Sequence, residues 1–158
     1  MILIAYDGSS DAQTAIQRAG ELLKDETATV LTVWERFVDV VTRAGAGLPI
    51  GDLDYERLDR DYAEEARRRV EEGARLAEQA GLKAQPRVRA RENTVASTVL
   101  AEADDIQATA IVIGTRGLTG LKSLFLGSVS HAVLQNAHIP VIVVPSAEIA
   151  AERVARRG

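Results

Sequence analysis

The sequence predicts an α/β protein with an open, five-stranded parallel sheet and helices on both faces. Short runs of apolar, largely β-branched residues alternate along the chain with longer segments of helical periodicity. These runs are nearly unbroken, which is typical of strands buried on both faces of a parallel sheet. Alternation of the two patterns indicates βαβ units with right-handed crossovers. A length of 158 residues fits one domain, which we place at residues 1–145, followed by a helical tail at 146–158.

Five segments are predicted as strands, and the third one fixes their order. They are residues 2–6, 29–34, 84–90, 110–113 and 141–144. The third contains Pro86 and alternates apolar residues with Arg87 and Arg89, so one of its faces is expected to be solvent-exposed. Proline cannot donate to a ladder, so this strand is predicted at a sheet edge. The order 3-2-1-4-5 satisfies that position and places the topological switch point between strands one and four, where open α/β sheets bind ligands.

Four segments have the i, i+3, i+4 spacing of apolar residues that predicts amphipathic helices. They are residues 12–23, 55–80, 95–106 and 129–133. A capping box of Ser10 with Gln13 is predicted to begin the first helix, and Gly81 to end the second. Residues 36–53 have no clear periodicity and are predicted as a long loop.

Composition and charge exclude several classes of function. The 19 basic and 23 acidic residues give a net charge of −4, which argues against nucleic acid as a partner because phosphate neutralisation needs a basic face. The absence of cysteine excludes disulfides and zinc–thiolate sites. His131 and His138 lack ligand spacing, so no metal site is expected. Without a cationic leader or an apolar stretch of about 20 residues, we expect a cytoplasmic protein with no membrane association.

The segment from Ile113 to Ser130 carries the clearest functional signal. Gly114 and Gly117 directly follow strand four, and Gly127 and Ser128 directly precede a helix. Glycine lets backbone N–H groups approach anionic oxygens, and a helix N-terminus favours negative charge. Hydroxyl groups of the two serines, Ser128 and Ser130, would add donors. The pattern therefore predicts a phosphate cradle at the switch point, although glycine turns and a helix start with no ligand are the alternative.

Two familiar nucleotide motifs do not fit this segment. The G-x-G-x-x-G fingerprint requires a different glycine spacing directly after strand one. A Walker A loop requires glycine immediately before lysine, whereas Leu121 separates Gly120 from Lys122. The pattern present is instead G-x2-G-x9-G-S.

With this motif, with Asp7-Gly8-Ser9 after strand one and with the closing strand at 139–144, the chain resembles the ATP-binding branch of the universal stress protein family. The resemblance implies a Rossmann-like fold of the adenine nucleotide alpha hydrolase type and ATP, alone or with Mg²⁺, as the ligand. It implies that Ala5 and Asp7 lie by the adenosine, and that the Asp7 carboxylate accepts from the ribose or the adenine. Helix capping by Asp7 is the alternative.

The resemblance further implies specific contacts for the rest of the motif. Val33 would offer backbone groups to the adenine edge, Ile113 would pack on the base, and Gly114 would face the ribose. The phosphates would be held by Gly117, Gly127, Ser128, Val129 and Ser130. Arg116 and Lys122 would add charge beside a loop at 118–126, or equally lie solvated on the surface.

These features favour a nucleotide-responsive regulatory dimer in stress response with at most slow ATP hydrolysis. No Walker B carboxylate or positioned base is identified, and Asp7 is the one carboxylate placed near the phosphates. Two alternatives stay open, namely a nucleotide-independent dimeric interaction module and a true ATP phosphohydrolase.

The last strand predicts how two copies would meet. Residues 141–144 are wholly apolar and lie at the second sheet edge in the predicted order. An uncovered apolar edge is an aggregation hazard, and pairing with the same strand of a second subunit would cover it. The alternative is that the tail from Ser146 folds back over this edge.

Overall fold

The structure, a computed structural model, describes residues 1–43, 45, 54–117 and 126–157. Its centre is a five-stranded, all-parallel sheet of order β3-β2-β1-β4-β5, which confirms the predicted fold class and strand order. The strands are β1 (Ile2–Ala5), β2 (Thr27–Trp34), β3 (Lys83–Ala90), β4 (Ala110–Gly114) and β5 (Val141–Val144). The helices are α1 (Ser10–Leu22), α2 (Phe37–Arg43), α3 (Tyr55–Gln79), α4 (Val95–Asp105), α5 (Ser128–Asn136) and α6 (Ala147–Ala155).

The sheet is buried on both faces because its side chains alternate between two apolar clusters. Ile2 and Ile4 of β1 pack on the side of α1 and α3, which we call the α1–α3 face. Leu3 of the same strand packs on the opposite side with α4 and α5, which we call the α4–α5 face. Leu3 and Ile4 have no exposed surface at all. The unbroken apolar run of β1 is therefore explained by helices on both sides.

Strand β3 tolerates Pro86 because of its position and its register. The Lys83 amide donates to the carbonyl of Glu26, directly before β2, at 2.9 Å. The Arg91 amide donates to the carbonyl of Trp34 in β2 at 2.7 Å. Since alternate residues of a parallel strand face the same neighbour, the odd-numbered residues face β2 and Pro86 faces away from the sheet. Its missing N–H therefore breaks no ladder bond, as the edge assignment requires.

The arginine side of β3 is less exposed than the alternation predicts. Arg87 is half-exposed, but the Arg89 side chain is only 23% exposed and reaches over to α4. The carboxylate of Glu102 in α4 is completely buried and pairs with Arg87 Nε at 3.0 Å and an Arg89 terminal nitrogen at 2.7 Å. Buried charges require such partners. The predicted solvent-exposed face is thus a paired interface between β3 and α4.

Helix α1 begins one residue earlier than the predicted capping box implies. The N-cap is Ser9, whose extended backbone lets its hydroxyl accept from the Ala12 amide at 3.2 Å. Ser10 is the first helical residue, so the Ser10–Gln13 box is wrong. The turn before the helix positions Ser9, because the Ser9 amide donates to the Asp7 carboxylate at 3.0 Å.

Helix α2 lies outside the predicted set, and α6 falls in the predicted helical tail. Residues 37–43, predicted as part of a loop, form α2, and residues 44 and 46–53 lie outside the described part. Helix α2 buries none of its residues and is tied to α3 by the Phe37 amide, which donates to Asp59 at 2.8 Å. The helical tail is present as α6, in which Ile149 is buried and Val154 is 69% exposed.

Candidate functional site

Strands β1 and β4 end side by side, and the loops that follow them meet at the predicted switch point. Asp7 follows β1, and Gly117 follows β4. A methyl group built on Gly117 would lie 2.5 Å from a carboxylate oxygen of Asp7. Only glycine allows this approach. The structure therefore brings Asp7 into direct contact with the first half of the glycine motif.

The second half of the motif is held against the first through Thr115. The Thr115 carbonyl accepts the Gly127 amide at 2.7 Å and the Ser130 hydroxyl at 2.9 Å, while the Thr115 amide donates to Val144 at 2.9 Å. Both glycine turns consequently start from one point at the end of β4. We call this set of bonds around Thr115 the loop base.

The loop base also shows which donors are already engaged. The Gly127 amide is bonded to Thr115, and the Ser130 hydroxyl donates to Thr115 or to Gly127, whose oxygen is 3.0 Å away. The Ser130 side chain is buried. These two groups fix the backbone, so of the predicted donors the Gly127 amide and the Ser130 hydroxyl are already engaged within the protein. The remaining predicted donors of this segment are the ones left for an anion.

Those donors are the first amides of α5. Gly127 is the N-cap, with an extended backbone and no capping side chain among the described residues. The amides of Ser128, Val129 and Ser130 lie in the first turn, where backbone N–H groups have no partner within a helix. Ser128 is exposed and its hydroxyl adjoins them. This end of α5 can accept negative charge.

On the other side of the switch point, three of the predicted residues share one face. Ala5, Val33 and Ile113 all pack with the cluster on the α4–α5 face, at the carboxyl ends of their strands. Leu31, two residues before Val33, accepts from the Tyr6 amide at 2.8 Å. By the same alternation, the backbone groups of Val33 point toward β1 just beyond its last residue. An apolar surface thus lies beside backbone polar groups, as an adenine ring would require.

Close packing against α1 explains why residue 114 is a glycine, and the sequence alone does not reveal this contact. A methyl group on it would lie 2.8 Å from Asp11 and 3.0 Å from the Ala12 amide nitrogen, both in α1. The vacant position therefore faces α1. Close packing of β4 on α1 accounts for this glycine, and its predicted ribose contact stays a prediction.

Asp11 is a site residue that sequence reasoning missed. Its side chain is 5% exposed, and one carboxylate oxygen accepts both the Thr115 hydroxyl and the Arg116 amide, the latter at 3.0 Å. It lies in the first turn of α1, where an acidic residue is common for reasons of helix capping and dipole. The chain carries no local signal that distinguishes it from such a residue, because its partners are more than 100 positions away.

Arg116 lies at the entrance of the loop and is partly exposed, with its carbonyl 3.4 Å from the Ser9 hydroxyl. Lys122 and most of the predicted loop at 118–126 lie outside the described residues.

A cavity of about 440 Å³ adjoins Asp7 on the α3 side, lined by arginine and glutamate side chains of that helix. Its charged residues are Asp7, Glu65, Glu72, Arg68, Arg69 and Arg75.

Tyr6 lies beneath the Asp7 turn with its ring against Gly73 of α3. Its side chain is 2% exposed, and its hydroxyl makes no hydrogen bond within the described residues, although Glu72 and Gln13 lie nearby. Burial, and then the negative charge of Glu72, raise the pKa of the Tyr6 phenol above its usual 10.0. The phenol is therefore neutral throughout the physiological range.

The fold and this site together define a doubly wound α/β protein whose glycine turns, at Gly114 to Gly117 and at Gly127, lie at the switch point. Comparison with known sequences agrees: the profile of the universal stress protein family matches residues 1–145. The chain is 33% identical to universal stress protein MJ0531 of Methanocaldococcus jannaschii, covering 90% of this chain and 80% of that protein. It is 32% identical to universal stress protein YxiE of Bacillus subtilis, covering 90% and 97%. The chain belongs to the universal stress protein family.

Solved structures give the same fold. The hypothetical protein MJ0577 superposes with a TM-score of 0.71 and 26% identity, covering 91% of this chain and 94% of that one. A universal stress protein crystallised with cAMP has a TM-score of 0.61 at 18% identity, over 92% and 96% of the two chains. One from Archaeoglobus fulgidus, crystallised with dAMP, has a TM-score of 0.56 at 23% identity, over 90% and 95%. None of the described helices of this chain has the length and apolar content needed to cross a bilayer.

Proposed function

We propose that this chain binds ATP at the switch point and acts as a nucleotide-responsive regulatory protein in stress response. The observation that carries the proposal is the loop base. Through Thr115, it brings the turns at Gly117 and Gly127 together next to the Asp7 carboxylate. Two solved proteins of the same fold hold an adenine nucleotide, which supports this ligand class for this chain.

Each part of the site suits one part of the ligand. The apolar surface of Ala5, Val33 and Ile113 would receive the base, and the Asp7 carboxylate, an acceptor only, would bind ribose or adenine donors. The first-turn amides of α5 would hold the phosphates, with the Ser128 hydroxyl beside them. Gly117 would leave room for the ligand near Asp7, and the positive charge of Arg116 would favour the triphosphate.

The same geometry favours binding over turnover. The Asp7 carboxylate already accepts the Ser9 amide, and that of Asp11 accepts two donors from the loop base. Within the described residues, no group of three or more metal-ligating side chains gathers to hold a cation. Hydrolysis therefore stays at most slow in this proposal, and Mg²⁺ would arrive with the nucleotide.

The proposal includes a homodimer formed through β5. The Pro140 carbonyl accepts the Ile111 amide of β4, and the Val144 carbonyl accepts the Thr115 amide directly after β4. The backbone groups of Val141 and Val143 therefore face away from the sheet. A second copy of the strand could pair with them across a two-fold axis and cover the edge.

The expected cytoplasmic location also stays a prediction, and cell fractionation tests it.

Isothermal titration calorimetry at about 100 micromolar protein tests nucleotide binding directly. We expect saturable binding of ATP, with affinity about tenfold lower for Asp7→Asn, because a charged acceptor becomes a neutral one. Asp25→Asn is the matched control, since Asp25 is exposed and lies just before β2, at the opposite end of the sheet from the site. Absence of heat for the wild-type chain would contradict the proposal, and equal losses in the two variants would remove Asp7 from the site.

A further inference from the structure

Asp11 is a buried carboxylate that the proposed ligand contacts do not use. Its oxygen accepts the Thr115 hydroxyl and the Arg116 amide, and both donors lie at the start of the glycine loop. Neither donor belongs to α1, so the carboxylate does more than begin its own helix. Burying a carboxylate without hydrogen bonds would destabilise the folded chain. The two bonds to Asp11 therefore stabilise the fold as well as the loop base.

Thr115 links Asp11 of α1 to the start of α5 through its own hydrogen bonds. Its hydroxyl donates to Asp11 on the α1 side, and its carbonyl accepts from Gly127 and Ser130 on the α5 side. Thr115 itself is 2% exposed. One buried residue therefore connects the first turn of α1 to the first turn of α5, and the two ends of the glycine loop are fixed relative to each other.

A carboxylate cannot itself bind phosphate, because both are negatively charged and both only accept hydrogen bonds. Any effect of Asp11 on a phosphate ligand must act through the backbone that it restrains. Restraining a loop before binding lowers the ordering cost that the ligand would otherwise meet. That saving applies to the ligand groups that the first-turn amides of α5 would hold, namely the phosphates, and much less to the base on the α4–α5 face.

We propose that Asp11 and Thr115 are positioning residues that hold the loop base in its phosphate-binding geometry and thereby make affinity depend on the number of phosphates. This inference rests on the proposed nucleotide binding. In this proposal, Asp11 and Thr115 make the site bind ATP more tightly than unphosphorylated adenosine.

Affinities for adenosine, AMP and ATP in Thr115→Val test the inference. Valine keeps the shape and removes the hydroxyl, so the loop base is no longer held in place before binding. We expect ATP affinity to fall about tenfold, as the cost of ordering the loop base on binding, while adenosine affinity changes less than about twofold. Thr115→Ser keeps the hydroxyl and should restore ATP binding. Thr98→Val is the matched control, because Thr98 is likewise a buried, hydrogen-bonded threonine, whose hydroxyl donates to the Thr94 carbonyl and accepts the Glu92 amide in and beside α4.

A second measurement needs no nucleotide. In Asp11→Ala the Arg116 amide loses its acceptor, and its hydrogen exchange in the free protein should accelerate at least about tenfold, while amides of α4 keep their wild-type rates. Unchanged exchange at Arg116 would overturn the inference, as would equal losses of ATP and adenosine affinity in Thr115→Val. If the wild-type chain binds neither ligand, the proposed function fails with it. If wild type binds ATP and Thr115→Val binds it equally well, the positioning role alone is wrong.

Discussion

At the scale of single residues, the Asp7 carboxylate lies where a side chain at position 117 would have to be. Gly117→Ala would place a methyl group 2.5 Å from the Asp7 carboxylate. The carboxylate must then move, so we expect ATP affinity to fall about tenfold, the effect of losing a charged hydrogen bond. Calorimetric titration measures the change.

Asp7→Ala provides the control for this clash. If displacement of Asp7 is the cause, adding Gly117→Ala to Asp7→Ala should cost no further affinity in a double-mutant cycle. Full additivity of the two changes would mean that Gly117 contributes through its own backbone instead.

Tyr6 predicts a pH dependence of stability with a definite sign. Because the pKa of the phenol is raised in the folded chain, the unfolded chain releases this proton first as pH rises above 10.0. The contribution of Tyr6 to folding is therefore complete below that pH and is lost as pH rises toward the folded pKa. Denaturant unfolding at pH 9 and pH 11 should show wild type losing more stability than Tyr6→Phe.

Tyr6→Phe is also expected to change the free energy of unfolding at neutral pH. The Tyr6 hydroxyl is buried without a hydrogen bond among the described residues. Its removal should raise the free energy of unfolding by about 1 kcal/mol, because an unpaired buried polar group is costly. A clear loss of stability would show that the hydroxyl has a partner in solution.

Much of the candidate site at residue level could be predicted from the sequence, and the limits are physical. Asp7 and the two glycine turns follow strands or precede a helix, so their convergence follows from parallel topology. Asp11 could not be found, because its partners come from a distant part of the chain. The internal use of the Gly127 amide was equally hidden, since spacing shows where a donor lies but not what it bonds.

At the scale of elements, the connection between β3 and α4 depends on one buried charge. Glu102 is 0% exposed and faces Arg87 and Arg89, while the pKa of Arg89 is raised by its carboxylate partners, Glu102 first. Glu102→Gln removes the charge and leaves the two guanidinium groups without it. We expect the free energy of unfolding to fall by about 2 kcal/mol, because the buried position loses its charge-assisted hydrogen bonds while both guanidinium groups stay partly exposed.

Glu92→Gln is the matched control, because Glu92 pairs with the same Arg89 but is 63% exposed. It should cost less than about 1 kcal/mol, as exposed ion pairs do. Similar losses for the two variants in urea unfolding would mean that burial is not what makes Glu102 important.

Elements were predictable where burial leaves a periodic pattern. Strand β3 was assigned to an edge from Pro86, and the register explains why the residue fits there. Helix α2 was missed because it spans only seven residues and buries none of them, which is too short a segment for the apolar pair Phe37 and Val41 to establish a helical period. The start of α1 was misplaced by one residue, because Ser9 and Ser10 are both good caps and only the Asp7 turn selects between them.

At the scale of the whole molecule, the proposed dimer depends on the outward backbone of β5. Val143→Pro would remove an N–H that faces away from β4, and so leave the β4 ladder intact. We expect wild type to sediment at twice the 17.0 kDa chain mass and Val143→Pro to sediment as a monomer. Val143→Ala, which keeps the amide, should remain dimeric. A dimeric proline variant would place the interface elsewhere.

The loop base has one more consequence, for how such a protein can be altered. The donors and acceptors seen in it among the described residues lie outside 118–125. Exchanging that stretch for another therefore leaves each of these bonds available on the framework. New recognition chemistry can be grafted onto the end of the sheet, while Thr115 keeps the junction in place.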